Sequence, residues 1–167
     1  AAGILEDRLV ADLDPAAFER VAHAKLGGLR AILAQWPDLE LLVGFSSAGG
    51  LLGSSSQAAH TAASAALDAA LLARVAAGHT AVTIDWGAWR DHGAALQRGA
   101  TAALAAGMGS FGTPDGFAAL DRILDAGLCQ AAVLPIDAAA LRTLHDAPPI
   151  LRALLTNAPV AAATQSA

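Results

Sequence analysis

Phe18, Val21, Leu26, Leu29 and Leu33 recur every three to five residues between Asp14-Pro15 and Trp36, placing them on one apolar face of a helix. Asp14 is the predicted N-cap and Pro15 the first helical residue. In "PDLELLVGFSS" the pattern changes: Leu39, Leu41, Leu42, Val43 and Phe45 are nearly continuous, as in a parallel strand covered on both faces. Ser54 to Ser56 offer N-cap oxygens for an alanine-rich helix over 57–77, which Gly78 closes. "HTAVTIDWGAW" reads as a second strand ending at Trp86-Gly87, and residues 91–112, rich in glycine and alanine, as a mobile lid segment with one short helix. "TPDGFAALDRILDAG" predicts a helix capped by Thr113 and started by Pro114. Its buried face is Phe117, Leu120, Ile123 and Leu124, and Gly127 is its stop. "CQAAVLPID" is a third strand, followed by one modest helix from Ala138 and a linker or frayed tail over 156–167.

Strands alternating with helical crossovers predict an α/β fold: a Rossmann-like parallel sheet with helices on both faces. With about three strands it is incomplete, so residues 1–155 read as part of a larger fold.

Composition narrows the function classes. The chain is 55% hydrophobic and 15% charged, with a mean hydropathy of +0.49, yet much of its apolar content is alanine. No run approaches the ~20 strongly apolar residues of a membrane span, and "AAGILEDRLV" lacks the basic start of a signal peptide. A soluble, cytoplasmic protein is expected. The net charge of −5, with basic residues scattered singly, argues against a nucleic-acid surface. Cys129 is the single cysteine and is expected to be a buried structural thiol; no metal site is predicted, since His23, His79, His92 and His145 show no paired ligand spacing. The chain has no tyrosine, and Lys25 is its only lysine.

Two constellations compete as candidate chemistry. Around Ser46, "GFSSAG" resembles a nucleophile elbow, with Asp85 and His92 or His145 following in hydrolase order. The pattern is G-x-S-x-A, however, and the next long helix starts too late for a tight elbow. The alternative is a carbonyl site at the carboxyl edge of the sheet, where ligands of open α/β sheets bind. There Ser47, His60 thirteen residues later, Lys25 from the preceding helix and the Asp85-Trp86-Gly87 strand end would converge.

"AAGILEDRL", "FERVAHAKLGGLRAI", "LLVGFSSAGGLLGSSSQAAHTAASAALDAALLARVAAG" and "VTIDWGAW" together resemble, in content, order and interval, the C-terminal half of a ketoreductase domain. The domain type is that of modular type I polyketide synthases, in the short-chain dehydrogenase/reductase superfamily. The resemblance implies NADPH-dependent reduction of a β-ketoacyl chain on an acyl carrier protein, with neighbouring polyketide synthase domains as further partners. It assigns Lys25 to the family's lysine and Ser47 to its serine. It puts His60 where the family has its proton-donating tyrosine and Ser64 where it has an asparagine. Trp86 and Gly87 then lie at the nicotinamide end of the cofactor site. Asp7, Leu52 and Trp89 lie on the substrate side, where Leu5-Glu6-Asp7 matches a stereochemical Leu-Asp-Asp motif through its last aspartate, and Leu52 stands where the other stereochemical class has a tryptophan. Trp86 and Trp89 also suit a core or lid role.

Both replacements strike the proton-transfer machinery. A Lys25 ammonium beside His60 would disfavour the imidazolium, and a neutral imidazole is a poor acid. The family's Gly-rich phosphate turn is also absent, because Gly49, Gly50 and Gly53 follow the serine strand instead. The chain starts where the family's fourth strand ends, so NADP(H) binding is expected to need a missing N-terminal half. Three readings follow: a reductase-inactive scaffold, an active reductase using His60 or water as acid, and a redox-silent epimerase of an α-substituted β-ketoacyl thioester.

Overall fold

A computed structural model describes residues 3–91, 108–143 and 149–157. The Asp14 carboxylate accepts the Ala17 N–H at 2.7 Å, capping helix α1 (Pro15–Ala22) as its sequence predicts. The helix does not run on uniformly to Trp36. A π turn over His23–Gly27 separates α1 from α2 (Gly28–Gln35). Nothing in the apolar spacing signals this widened turn, and it carries Lys25.

Strand β1 (Leu42–Phe45) leads into the short helix α3 (Gly49–Leu52), the long helix α4 (Ala58–Ala76), strand β2 (Ala81–Trp86) and strand β3 (Ala88–Trp89). Strand β4 (Ser110–Phe111), helix α5 (Thr113–Asp125), strand β5 (Gln130–Val133), helix α6 (Ala138–Thr143) and helix α7 (Pro149–Asn157) complete the order. The main sheet is parallel, in the order β1-β2-β5, with Leu42 opposite Ala81 and Thr83 opposite Gln130. Helices cover both faces, so the described residues form the incomplete Rossmann-like α/β unit that alternation predicts.

Strand β2 is buried along its whole length, and its alternation separates two environments. Val82, Ile84 and Trp86 join Phe111 and Ile123 in one core cluster, where full burial of Ile84 alone contributes about 1.5–3 kcal/mol. Ala81 packs with Leu29, Leu67 and Leu71 on the other face. Thr83 and Asp85 share that second face, and both are buried.

Several local expectations change. Gln57, not a serine, stands at the N-cap of α4: Ser54 Oγ donates to Gln57 Oε1 at 2.7 Å, and the chain turns at Ser56 with φ of 60°. Gly78 and Gly127 do end their helices, at φ of 91° and 62°, the left-handed region glycine enters freely. The cap of α5 is Gly112, because the Thr113 N–H is already bonded to Asp91 Oδ2 at 2.8 Å. Phe117 is 58% exposed: the buried stripe of α5 runs through Gly116 and Ile123, where the missing side chain admits the Trp89 ring. Phe18 is likewise partly exposed, since α1 buries Ala17 and Val21 instead. Cys129 is exposed, because it precedes β5, whose only described strand partner is β2.

The expected lid lies mostly outside the described residues. Its far end is a strand, β4, paired in parallel with β3. The chain after Ala138 holds two helices rather than one, and α7 reaches Asn157, inside the stretch expected to be linker.

Candidate active site

Strand β1 ends at Phe45 and delivers two serines to different fates. The Ser46 N–H donates to Ile84 O at 2.9 Å, and its buried Oγ donates to Ser64 O at 3.3 Å. This places Ser46 inside the fold, which removes the hydrolase reading of an exposed nucleophile. Ser47 is half-buried at the sheet's carboxyl edge, with Oγ accepting the Gly49 N–H at 3.2 Å. The Ala48 N–H then donates to Trp86 O at 2.9 Å, which ties the loop to the end of β2.

Lys25 reaches this edge from the π turn, a helix distortion frequent at functional sites. Its Nζ donates to Phe45 O at 3.3 Å, two residues before Ser47. Burial lowers the ammonium's pKa below the ordinary lysine value, and attraction to Asp68 and Asp85 partly offsets that.

His60 sits half-buried in the first turn of α4, and Ser64 follows one turn deeper on the same stripe. Ser64 is fully buried; its Oγ has no hydrogen-bond partner and its carbonyl is held by Ser46. A β-carbon added to Gly49 would lie 3.4 Å from Ser47 Oγ and 3.6 Å from Thr61 Oγ1, which sets the serine loop directly against the start of α4. Lys25 and the Ser47 loop therefore meet the start of α4, which carries His60, at one edge of the sheet, and Ser64 lies fully buried beneath it.

The other predicted positions divide. Asp7 is exposed, yet its Oδ1 accepts Gln57 Nε2 at 3.1 Å, so it borders the N-terminus of α4. Its neighbour Glu6 accepts both Nε and Nη2 of Arg20, at 2.6 and 2.8 Å. Leu52 packs against Leu141 and Leu151 beneath α6 and α7. The Trp86 ring lies 5.4 Å from Phe45, 4.9 Å from Trp89 and 5.9 Å from Phe111, in an aromatic cluster on the α5 face. Gly87 follows, its N–H bonded to Val133 O at 2.9 Å.

Chain-only donors do not fit a dinucleotide's phosphates. In the glycine cluster the Gly49 N–H is held by Ser47 Oγ, that of Gly50 by Ser47 O at 2.7 Å, and that of Gly53 by Gly49 O at 2.9 Å. These amides close their own turn and are not left for a phosphate cradle.

A buried polar group lies beneath the loop, and of its members the sequence singles out only Asp85. Thr83 Oγ1 donates to Asp68 Oδ1 at 2.5 Å, and Gln130 Nε2 donates to Asp85 Oδ2 at 2.9 Å. Burial, with the Asp68 carboxylate adding to it, pushes Asp85 up to about 6 despite the Gln130 amide. The signal was present as alternation: threonine and aspartate two apart in β2, serine and aspartate four apart in α4.

No helix among the described residues is long and apolar enough to cross a membrane. The profile of the KR domain matches residues 1–91. A spectinabilin polyketide synthase system protein of Streptomyces orinoci is 35% identical over 162 residues, covering 93% of this chain but 4% of that protein. A solved A1-type ketoreductase superposes with a TM-score of 0.81 at 28% identity, over 89% of this chain and 32% of the other. The first ketoreductase of the tylosin polyketide synthase gives 0.76 at 33% identity, over 84% and 32%. This chain thus spans about a third of the ketoreductase structures and a small fraction of the synthases it resembles. The chain belongs to the ketoreductase domain family found in polyketide synthases.

Proposed function

We propose that this chain is a reductase-silent ketoreductase segment of a polyketide synthase, serving to support neighbouring synthase domains and to position the acyl carrier protein. The observation that carries this reading is the pair His60 and Ser64 on one stripe of α4. By family resemblance these positions belong to the tyrosine that gives the proton and the asparagine that supports its relay. Hydride addition to a ketone builds negative charge on oxygen, and loss of a positioned acid there costs on the order of 10² to 10⁴ in rate. Ser64, fully buried with its carbonyl held by Ser46, is closed off from that edge.

By family resemblance Lys25 and Ser47 stand at the lysine and serine positions, which on this reading leaves the cleft a serine hydroxyl and a cation; the Lys25 bond to Phe45 O, two residues before Ser47, supports it. NADP(H) belongs to the family's chemistry; the present residues contribute the carbonyl-binding edge and no phosphate cradle. The cofactor's phosphates would be held by an N-terminal half packed against the open edge of β1.

The test uses the complete synthase polypeptide that carries this chain, with a β-ketoacyl thioester and NADPH. No consumption of NADPH is expected, and Ser64→Asn with His60→Tyr is expected to restore it. Turnover by the unmodified chain would replace this reading with an active reductase that uses His60 or water as acid. Loss of deuterium from an α-substituted thioester without NADPH consumption would replace it with an epimerase.

A further inference from the structure

The buried carboxyls of Asp68 and Asp85 belong to none of the roles above. They come from different elements, α4 and β2, and are 5% and 0% exposed. Thr83 stands two residues before Asp85 on the same face of β2 and donates to Asp68, so the two carboxyls converge on one side of the sheet. Thr83 Oγ1 on Asp68 brings the two buried carboxyls to one desolvated space, and a hydrogen bond between them requires a proton on one of them. Asp85 Oδ1 is buried and receives no hydrogen bond from a fixed donor, leaving a place for that proton's bond.

The serine loop lies on this pair. A β-carbon at Gly50 would fall 3.2 Å from Asp68 Oδ2, 3.2 Å from Ala65 N and 3.3 Å from Ser64 Cβ. Glycine is what lets the loop backbone sit against the carboxylate. The same loop is tied to β2 on either side of Asp85, through Ser46 N–H to Ile84 O and Ala48 N–H to Trp86 O.

We propose that Asp68 and Asp85 are positioning residues for the Ser47 loop: a proton shared between them clamps the loop, and its loss loosens it. With both carboxyls ionised, two like charges face each other in a desolvated space between α4 and β2. Relief comes by separation of α4 from β2; the loop, packed on α4 at Gly50, is drawn from β2 and its bonds to Ile84 and Trp86 weaken. The groups facing the pair are Thr83 on β2, Gln130 on β5 and the Ser46 hydroxyl just after β1, none of them titratable in this range. Lys25 contributes a charge from the π turn that favours the ionised forms, and His60 stands two turns away from Asp68 on α4.

This inference does not rest on the reductase-silent reading. Its test records protonation and loop protection on the full chain, so a working reductase would overturn the function and leave the pair untouched. Infrared spectroscopy is expected to show a carboxylic-acid C=O stretch at about pH 5 that fades with a midpoint near 6 and is missing in Asp85→Asn. Corrected for intrinsic exchange, the Ser46 and Ala48 amides are expected to be at least about threefold better protected at about pH 5 than at about pH 7.5. Asp85→Asn is expected to abolish that difference. Should Asp85→Asn fail to fold, Gln130→Leu serves instead: it removes the amide that holds the Asp85 pKa down and is expected to raise the infrared midpoint. A wild-type chain without the titrating band, amide protection equal at both pH values, or a midpoint unmoved by Gln130→Leu overturns the proposal.

Discussion

The Lys25 ammonium is held against the Phe45 carbonyl, Nζ to O at 3.3 Å, so the chain's only lysine is anchored at the end of the strand that delivers Ser47. Burial is the main cause of its lowered pKa. A base whose folded pKa is depressed binds fewer protons in the folded state, so stability rises with pH between that depressed pKa and the ordinary 10.5. Amine acylation of Lys25 is therefore expected to set in at lower pH than in an unstructured lysine peptide. The labelling midpoint, followed by mass spectrometry against pH, checks this; a midpoint equal to the peptide's contradicts it.

Ser46 and Ser64 separate two kinds of buried hydroxyl. Ser46 Oγ makes a bond to a backbone carbonyl, and Ser46→Ala is expected to cost about 1 kcal/mol. Ser64 Oγ is buried without a partner, so Ser64→Ala is expected to be neutral or stabilising by up to ~1 kcal/mol. Denaturant unfolding of the two variants should show opposite or clearly unequal shifts. Equal losses would mean that Ser64 Oγ has a partner in solution.

Gly116 and Trp89 are fitted to each other. A β-carbon at Gly116 would lie 2.3 Å from the Trp89 ring, which itself stacks on Phe111 at 4.8 Å. Gly116→Ala is expected to destabilise by roughly 1–3 kcal/mol, because the new methyl must displace a ring held against Trp86 and Phe111. Trp89→Leu in the same chain should recover part of that loss. Thermal unfolding that shows no recovery would place the clash elsewhere.

Asp85 predicts a pH profile. Its folded pKa, about 6, lies above the ordinary 3.8, so the folded chain binds an extra proton between those values. The stability it contributes is complete below about pH 4 and is lost as pH rises through 6. Asp85→Asn is expected to flatten that segment of the stability curve and to raise the melting temperature at pH above 7. A mutant curve parallel to the wild type across this window would show that Asp85 titrates normally.

Much of the fold is legible in the chain itself. The strand before Phe45, the fully buried β2 and the Asp14-Pro15 start of α1 each follow from local spacing and cap chemistry, but β1 is not covered on both faces as its apolar run predicts, since Leu41 and Phe45 are exposed. Local rules misplace Phe117 and Phe18, because burial depends on which stripe meets a neighbour, and small residues, Gly116 and Ala17, permit the closest approach. They misplace Cys129 too, since a thiol ahead of a strand is covered only where something packs over it.

For the site, the sequence by itself determined which groups are present: one lysine, no tyrosine, a serine pair, and a histidine and serine one turn apart. Motif order placed them in a ketoreductase frame. Only the tertiary structure decided what each group faces. It turned Ser46 inward and left Ser47 at the edge, because alternation reverses side chains while the ladder to β2 fixes the register. It inserted a π turn that brings Lys25 to Phe45, and it joined Asp68 to Thr83 across α4 and β2. Such pairings join residues 15 to 20 positions apart in the chain, beyond the reach of any local period.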